Sequence, residues 1–152
     1  MRYSNSRWAH KGRKAYKRLF KELKKDAFGQ ELKGVNIKLI VSLTRNSPCY
    51  AKSSLKAGKL TYTVKINLTK LYNYTVIRGY SNDYYPARSE KLASLKHNRK
   101  KMLQFTILHE LVHIMEHHKN IKFNYNSLGF DAERERSADD YAINYINNKL
   151  GA

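Results

Sequence analysis

The stretch that most restricts the fold of this 152-residue chain spans residues 103–118. Leu103, Ile107, Leu111 and Ile114 recur at three- and four-residue steps, with Leu108 and Met115 beside them. This is the pattern of a helix whose apolar face must be buried. The same segment carries His109, Glu110, His113, Glu116, His117 and His118, which include four of the chain's 6 histidines. A polar group sent into an apolar interior costs free energy unless it finds a partner there. The fold must therefore bury this helix and compensate its polar residues.

The elements it can pack against lie mostly upstream. In residues 35–43, VNIKLIVSL, the side chains of Val35, Ile37, Leu39, Val41 and Leu43 face one way. In residues 60–68, LTYTVKINL, Leu60, Tyr62, Val64, Ile66 and Leu68 oppose Thr61, Thr63, Lys65 and Asn67. Such alternation predicts a sheet with one dry and one wet face. The link between the two holds Pro48 and Gly58 and has room for a short strand at 49–53, so three or more strands are expected. Residues 6–28 read as an amphipathic helix with Ser6 as its N-cap. Trp8, Ala15, Tyr16, Leu19, Leu23 and Ala27 form its apolar face. Arg7, Lys11, Lys14, Arg18, Lys21 and Lys25 form a basic stripe to one side of it. Residues 72–88 are rich in tyrosine and read as a loop or short edge strand. Residues 89–118 read as helical with a break near 96–98, residues 119–130 as a loop, and residues 132–150 as the last helix. The expectation is one α+β domain over residues 1–152, with an N-terminal helix on a small, mostly antiparallel sheet, followed by two helices.

Charge divides the chain unevenly. Residues 1–104 hold 25 Lys and Arg against 5 Asp and Glu, whereas residues 105–152 hold 5 against 7, for a total of +18. A field of that size attracts polyanions, so nucleic acid or an acidic protein surface is the expected partner of the basic part, with the first-helix stripe as the candidate nucleic-acid contact. No apolar run approaches the ~20 residues of a membrane span, and no apolar segment follows the charged N-terminus as in a signal peptide. A cytoplasmic location without membrane contact is expected. Cys49, the single cysteine, cannot form an internal disulfide or a cysteine-rich zinc site.

His109, Glu110 and His113 spell H-E-x-x-H. Imidazoles four residues apart lie one turn apart on one helix face, where both can reach one Zn²⁺ at ~2.0–2.1 Å. Glu110, one step around the helix, can take a proton from a zinc-bound water without binding the metal. A third protein ligand is required. The metzincin pattern fails, because Glu116 stands in place of its glycine and Lys119 in place of its third histidine. A carboxylate from the last helix remains. Ala138, Ala142 and Ile146 define the inner face of that helix. Glu135 and Asp139 fall on or beside it, while Glu133, Arg136, Asp140 and Asn144 face water.

The two segments HELVH (109–113) and ERSADDYA (135–142) resemble the gluzincin pairing of H-E-x-x-H with E-x-x-A-[ND]-x-[FY]-A. That pairing is typical of the ImmA/IrrE-like metallopeptidases of phages, mobile elements and bacterial stress responses. The resemblance covers about the last third of the chain. It implies a minimal zincin-like fold and a zinc-dependent peptidase acting on a protein or peptide. It implies that His109, His113 and Glu135 bind the metal, that Glu110 is the catalytic base, and that Asp139 orients a ligand imidazole through its other N–H. Val112 stands where these families often have glycine, so the space beside the metal is expected to be tighter. The helix-turn-helix partner domain usual in the family is not expected here.

Two further expectations concern the reaction. The strand at 60–68 is the candidate edge for pairing with an extended substrate, and Tyr141 with the tyrosines of 72–85 are the candidate transition-state donors. The alternative is a basic nucleic-acid-associated or virus-particle protein whose zinc site is structural or vestigial. His117 and His118 are expected at the surface, where a partly charged imidazole suits a helix C-terminus.

Overall fold

The computed structural model describes residues 2–42, 49–67, 88–95, 98–119 and 132–149. The tyrosine-rich stretch and most of the 119–130 segment lie outside them.

Helix α1 spans Arg2–Phe28. It starts ahead of Ser6, which is thus an interior residue and not the cap. No proline or glycine between Arg2 and Ser6 stops the helix from extending. Its buried residues are Tyr16, Phe20, Leu23 and Phe28, with Leu19 and Ala27 partly covered. Phe20, outside the expected apolar face, is buried, whereas Ala15 is exposed. Lys14, Arg18, Lys21 and Lys25 are exposed. At 100° per residue they lie opposite the core face, not beside it. Arg7 and Lys11 are on the same helix, but their side chains fall outside the described ones.

Three strands follow: β1 (Ile37–Ser42), β2 (Tyr50–Lys56) and β3 (Lys59–Asn67). Ala57 and Gly58 join β2 to β3 as a two-residue turn with φ of 51° and 76°. That turn conformation suits the twist of a hairpin, and glycine adopts it without strain. The strand order is β1-β3-β2. The β2–β3 pair is antiparallel, with Leu55 opposite Leu60, and β1 pairs with β3 in parallel, with Leu39 opposite Val64. The sheet is therefore mixed and not mostly antiparallel. Residues 60–67 of the segment nominated as an edge, 60–68, belong to the central strand, with ladder partners on both sides, and Leu68 lies outside the described residues. Alternation encodes which face a residue takes but not which neighbour its backbone meets. That face assignment holds for Tyr62, Val64 and Ile66, all buried, whereas Leu60, close to the turn, is exposed along with Leu55.

Helix α2 (Arg88–Leu92) is short. The expected break follows it, and Asn98 then caps helix α3 (Arg99–His118), its side chain accepting from the Lys101 N–H at 3.0 Å. Helix α4 spans Ala132–Lys149. α3 is the hub, in contact with α1, β2, β3 and α4. Met102, Phe105, Ile107, Leu108, Leu111, Val112 and Ile114 are all buried, so α3 is covered nearly all round its circumference. Ala138, Ala142 and Ile146 of α4 are fully buried, and the two alanines are small enough to let helix axes approach closely. The Lys91–Asp140 ion pair, 2.6 Å, ties α2 to the outer side of α4. Among the described residues, no helix is long and apolar enough to cross a membrane.

Candidate metal centre

The α3–α4 contact brings residues 26 positions apart into one cluster. Nε2 of His109 and Nε2 of His113 are 3.1 Å apart. The Glu135 carboxylate spans both, with Oε2 3.0 Å from His109 Nε2 and Oε1 3.2 Å from His113 Nε2. Ligands bound tetrahedrally at ~2.0–2.1 Å stand about 3.3 Å from one another. The three separations come within a few tenths of that edge length. Two imidazole nitrogens this close, with a carboxylate across both, also need positive charge between them. The donor set fits a divalent cation, and these three residues could hold one.

Asp139 is fully buried behind His109. Its Oδ1 accepts from His109 Nδ1 at 2.8 Å. This bond fixes the ring so that Nε2 faces the cluster. The local sequence explains the placement: Glu135 and Asp139 are four residues apart on one face of α4, a turn of helix apart, matching the one-turn spacing of His109 and His113.

Electrostatics bind the cluster together even without a cation. Burial works against a charge on His109. Its hydrogen bonds to Asp139 and Glu135, with the nearby charges of Glu135 and Glu110, override that and push its pKa up to about 10. Burial likewise works against ionised Glu135. Hydrogen bonds and charge from the two imidazoles reverse the effect, so its carboxyl stays well below the usual carboxylate range. Glu110 is buried at 7% exposure, and its charge is felt at His109. Helix geometry sets it about 100° around α3 from His109.

Sequence reasoning missed Glu116. It is 3% exposed on the last turn of α3, although its position in the sequence suggested only a failed metzincin match. Its Oε2 lies 4.0 Å from His113 Nδ1 and 3.9 Å from Arg134 Nε, and Ser137 Oγ is 3.5 Å from Oε1. Desolvation pushes its carboxyl pKa up, against the countering charges of His113 and Arg134. Among the described residues, His113 Nδ1 and Glu116 Oε2 are both buried without a hydrogen-bond partner, a state that costs ~1–3 kcal/mol per group. The signal available in the sequence was a carboxylate directly after Ile114 and Met115 on the helix that carries the candidate ligands, three residues after His113.

Two other assignments change. The Tyr141 hydroxyl donates to the Ala27 carbonyl at 3.1 Å, and its ring stacks on Phe28 with centroids 5.1 Å apart. It thus anchors α4 to the end of α1 and is removed from the transition-state donors. His117 is exposed as expected, but the Tyr62 hydroxyl lies 2.8 Å from its Nδ1, which pins the end of α3 to the central strand. The tyrosines of 72–85 lie outside the described residues. No protein-family model, curated protein or solved structure matches the chain.

Proposed function

We propose that this chain is a zinc-dependent metallopeptidase of the gluzincin type. The observation that supports this reading best is the convergence of His109, His113 and Glu135 at near-tetrahedral spacing, with Asp139 orienting His109. Zinc held by these residues would supply a Lewis acid and lower the pKa of water beside it. The protein's own groups then do the following. Glu110, adjacent in sequence to a ligand but not part of the ligand cluster, accepts the proton of the attacking water. It later delivers that proton to the leaving nitrogen. Asp139 holds His109 in the tautomer whose Nε2 lone pair faces the metal. An extended peptide would pair with β2, which has a ladder partner on one side only among the described residues and contacts α3.

The test combines metal content with cleavage. Wild type is expected to hold one zinc per chain and to cleave a casein-type substrate. His113→Ala and Glu135→Gln are expected to lose zinc. Glu110→Gln is expected to keep zinc and lose cleavage. Zinc binding with no cleavage in any protein would instead favour the second reading, a basic nucleic-acid-associated or particle protein with a structural zinc site. The exposed basic residues of α1 support a polyanionic partner under either reading.

A further inference from the structure

We propose that Glu116 is the positioning carboxylate of His113, the counterpart of Asp139 at His109. This rests on the metal-site reading above. His109 has its Nδ1 committed to a buried carboxylate at 2.8 Å. His113 has its Nε2 in the ligand cluster, but its Nδ1 is buried without a hydrogen-bond partner among the described residues. Facing that nitrogen at 4.0 Å is Glu116 Oε2, itself buried and without a hydrogen-bond partner. A donor and an acceptor, both taken out of water and facing each other, lack only about an ångström of approach to reach hydrogen-bond distance.

The surroundings hold Glu116 in place for this contact. Its other oxygen, Oε1, is 3.5 Å from Ser137 Oγ, and Arg134 Nε stands 3.9 Å from Oε2. Both neighbours belong to α4, the helix that also carries Glu135 and Asp139. α4 therefore supports both imidazoles, His109 directly through Asp139 and His113 through Glu116. When a cation draws the Nε2 lone pair of His113, the ring must carry its hydrogen on Nδ1. Glu116 accepts that hydrogen and so fixes both the tautomer and the ring orientation. No proton is transferred, and the carboxylate does not enter the ligand set.

The test compares wild type with Glu116→Ala and Glu116→Gln in three measurements. These are zinc affinity by chelator competition, melting of the metal-free protein, and the imidazole N–H signals of the zinc-loaded protein by NMR. Glu116→Ala is expected to weaken zinc binding 10–100-fold, as loss of such a partner does elsewhere. Glu116→Gln, whose amide oxygen still accepts, is expected to lose less. The slowly exchanging His113 Nδ1 proton is expected to vanish in Glu116→Ala while that of His109 remains. A purely structural role would shift melting of the metal-free protein and leave the His113 signal in place, and that result would overturn the proposal. So would zinc affinity within twofold of wild type in both variants. If Glu116→Ala does not fold, Glu116→Leu, which fills the space but cannot accept, decides alone: affinity and His113 signal both unchanged would overturn the proposal. A wild type that binds no zinc would bring down the metal-site reading itself, whereas a zinc-binding wild type with unaffected variants would overturn only the role of Glu116.

Discussion

At the scale of single residues, the cluster behaves as a proton trap that a metal can open. His109 has a folded pKa of about 10 against an ordinary value of 6.5. Its raised value means that the folded state holds this proton more tightly than the unfolded chain. The stability it contributes is fully present below pH 6.5 and disappears as pH rises through 10. The metal-free protein, kept in chelator, is therefore expected to melt at progressively lower temperature between those values. His109→Gln should flatten that decline, which separates His109 from the lysines and tyrosines that titrate nearby. A cation needs the neutral ring, so binding must expel the proton. Zinc affinity is expected to increase with pH across the same window, and titration calorimetry in buffers of different ionisation enthalpy would count the released proton. An affinity independent of pH would show that His109 does not bind the ion through Nε2. Asp139→Ala removes the orienting acceptor and should weaken zinc binding 10–100-fold. Because it also leaves a buried donor without its partner, it should lower stability by ~1–3 kcal/mol.

At the scale of elements, what the sequence revealed and what it hid follow from the kind of information each pattern carries. The inner face of α4 was legible because Ala138, Ala142 and Ile146 repeat at the helical period, and the same period placed Glu135 and Asp139 near it. The break before α3 was legible as a loss of apolar period. Its mechanism, the Asn98 cap, lies in the bond to the Lys101 N–H. Asn98→Ala is expected to cost ~0.5–2 kcal/mol, read as a shift in the denaturation midpoint with unchanged slope. Strand order was not legible. β3 sits between β1 and β2 because of how the chain returns, and residue alternation is blind to that. Glu116 was hidden for a related reason. Periodicity sorts residues into wet and dry faces, but α3 is covered on almost all sides, so a buried carboxylate there has no face to betray it. The same enclosure makes α3 sensitive to truncation. Leu111 is fully buried two residues from both His109 and His113, and Leu111→Ala should destabilise the protein by ~2–5 kcal/mol through the cavity left behind. Zinc content should fall only as far as the folded fraction does.

At the scale of the whole molecule, one chain carries two opposed electrostatic regions. The centre gathers Glu110, Glu116, Glu135 and Asp139 around two imidazoles, a set suited to a cation. The first 104 residues carry 25 Lys and Arg against 5 Asp and Glu, more than the whole net +18, a field that would repel cations and draw polyanions. In α1 the two demands separate by face. Tyr16, Phe20 and Leu23 bury one side against the core, and Lys14, Arg18, Lys21 and Lys25 project from the opposite side. A polyanion could therefore settle on α1 without disturbing the helix packing that brings His109, His113 and Glu135 together. This separation predicts independence between the two sites. If the exposed stripe contacts phosphates, log affinity for a short DNA or RNA duplex should fall linearly with log salt, with a slope near −0.9 per phosphate neutralised. Replacing Lys14, Arg18, Lys21 and Lys25 together with glutamine should remove up to about four such contacts from the slope. Zinc stoichiometry and the melting increase on adding zinc should stay as in wild type. That increase is about 2.7 kcal/mol at a hundredfold excess over Kd, or roughly 5–10 °C for a chain of this size. A salt-independent affinity would exclude phosphate contact. A quadruple variant that also lost zinc would show that the charged face and the buried centre are coupled through α1, against the division that its two faces imply.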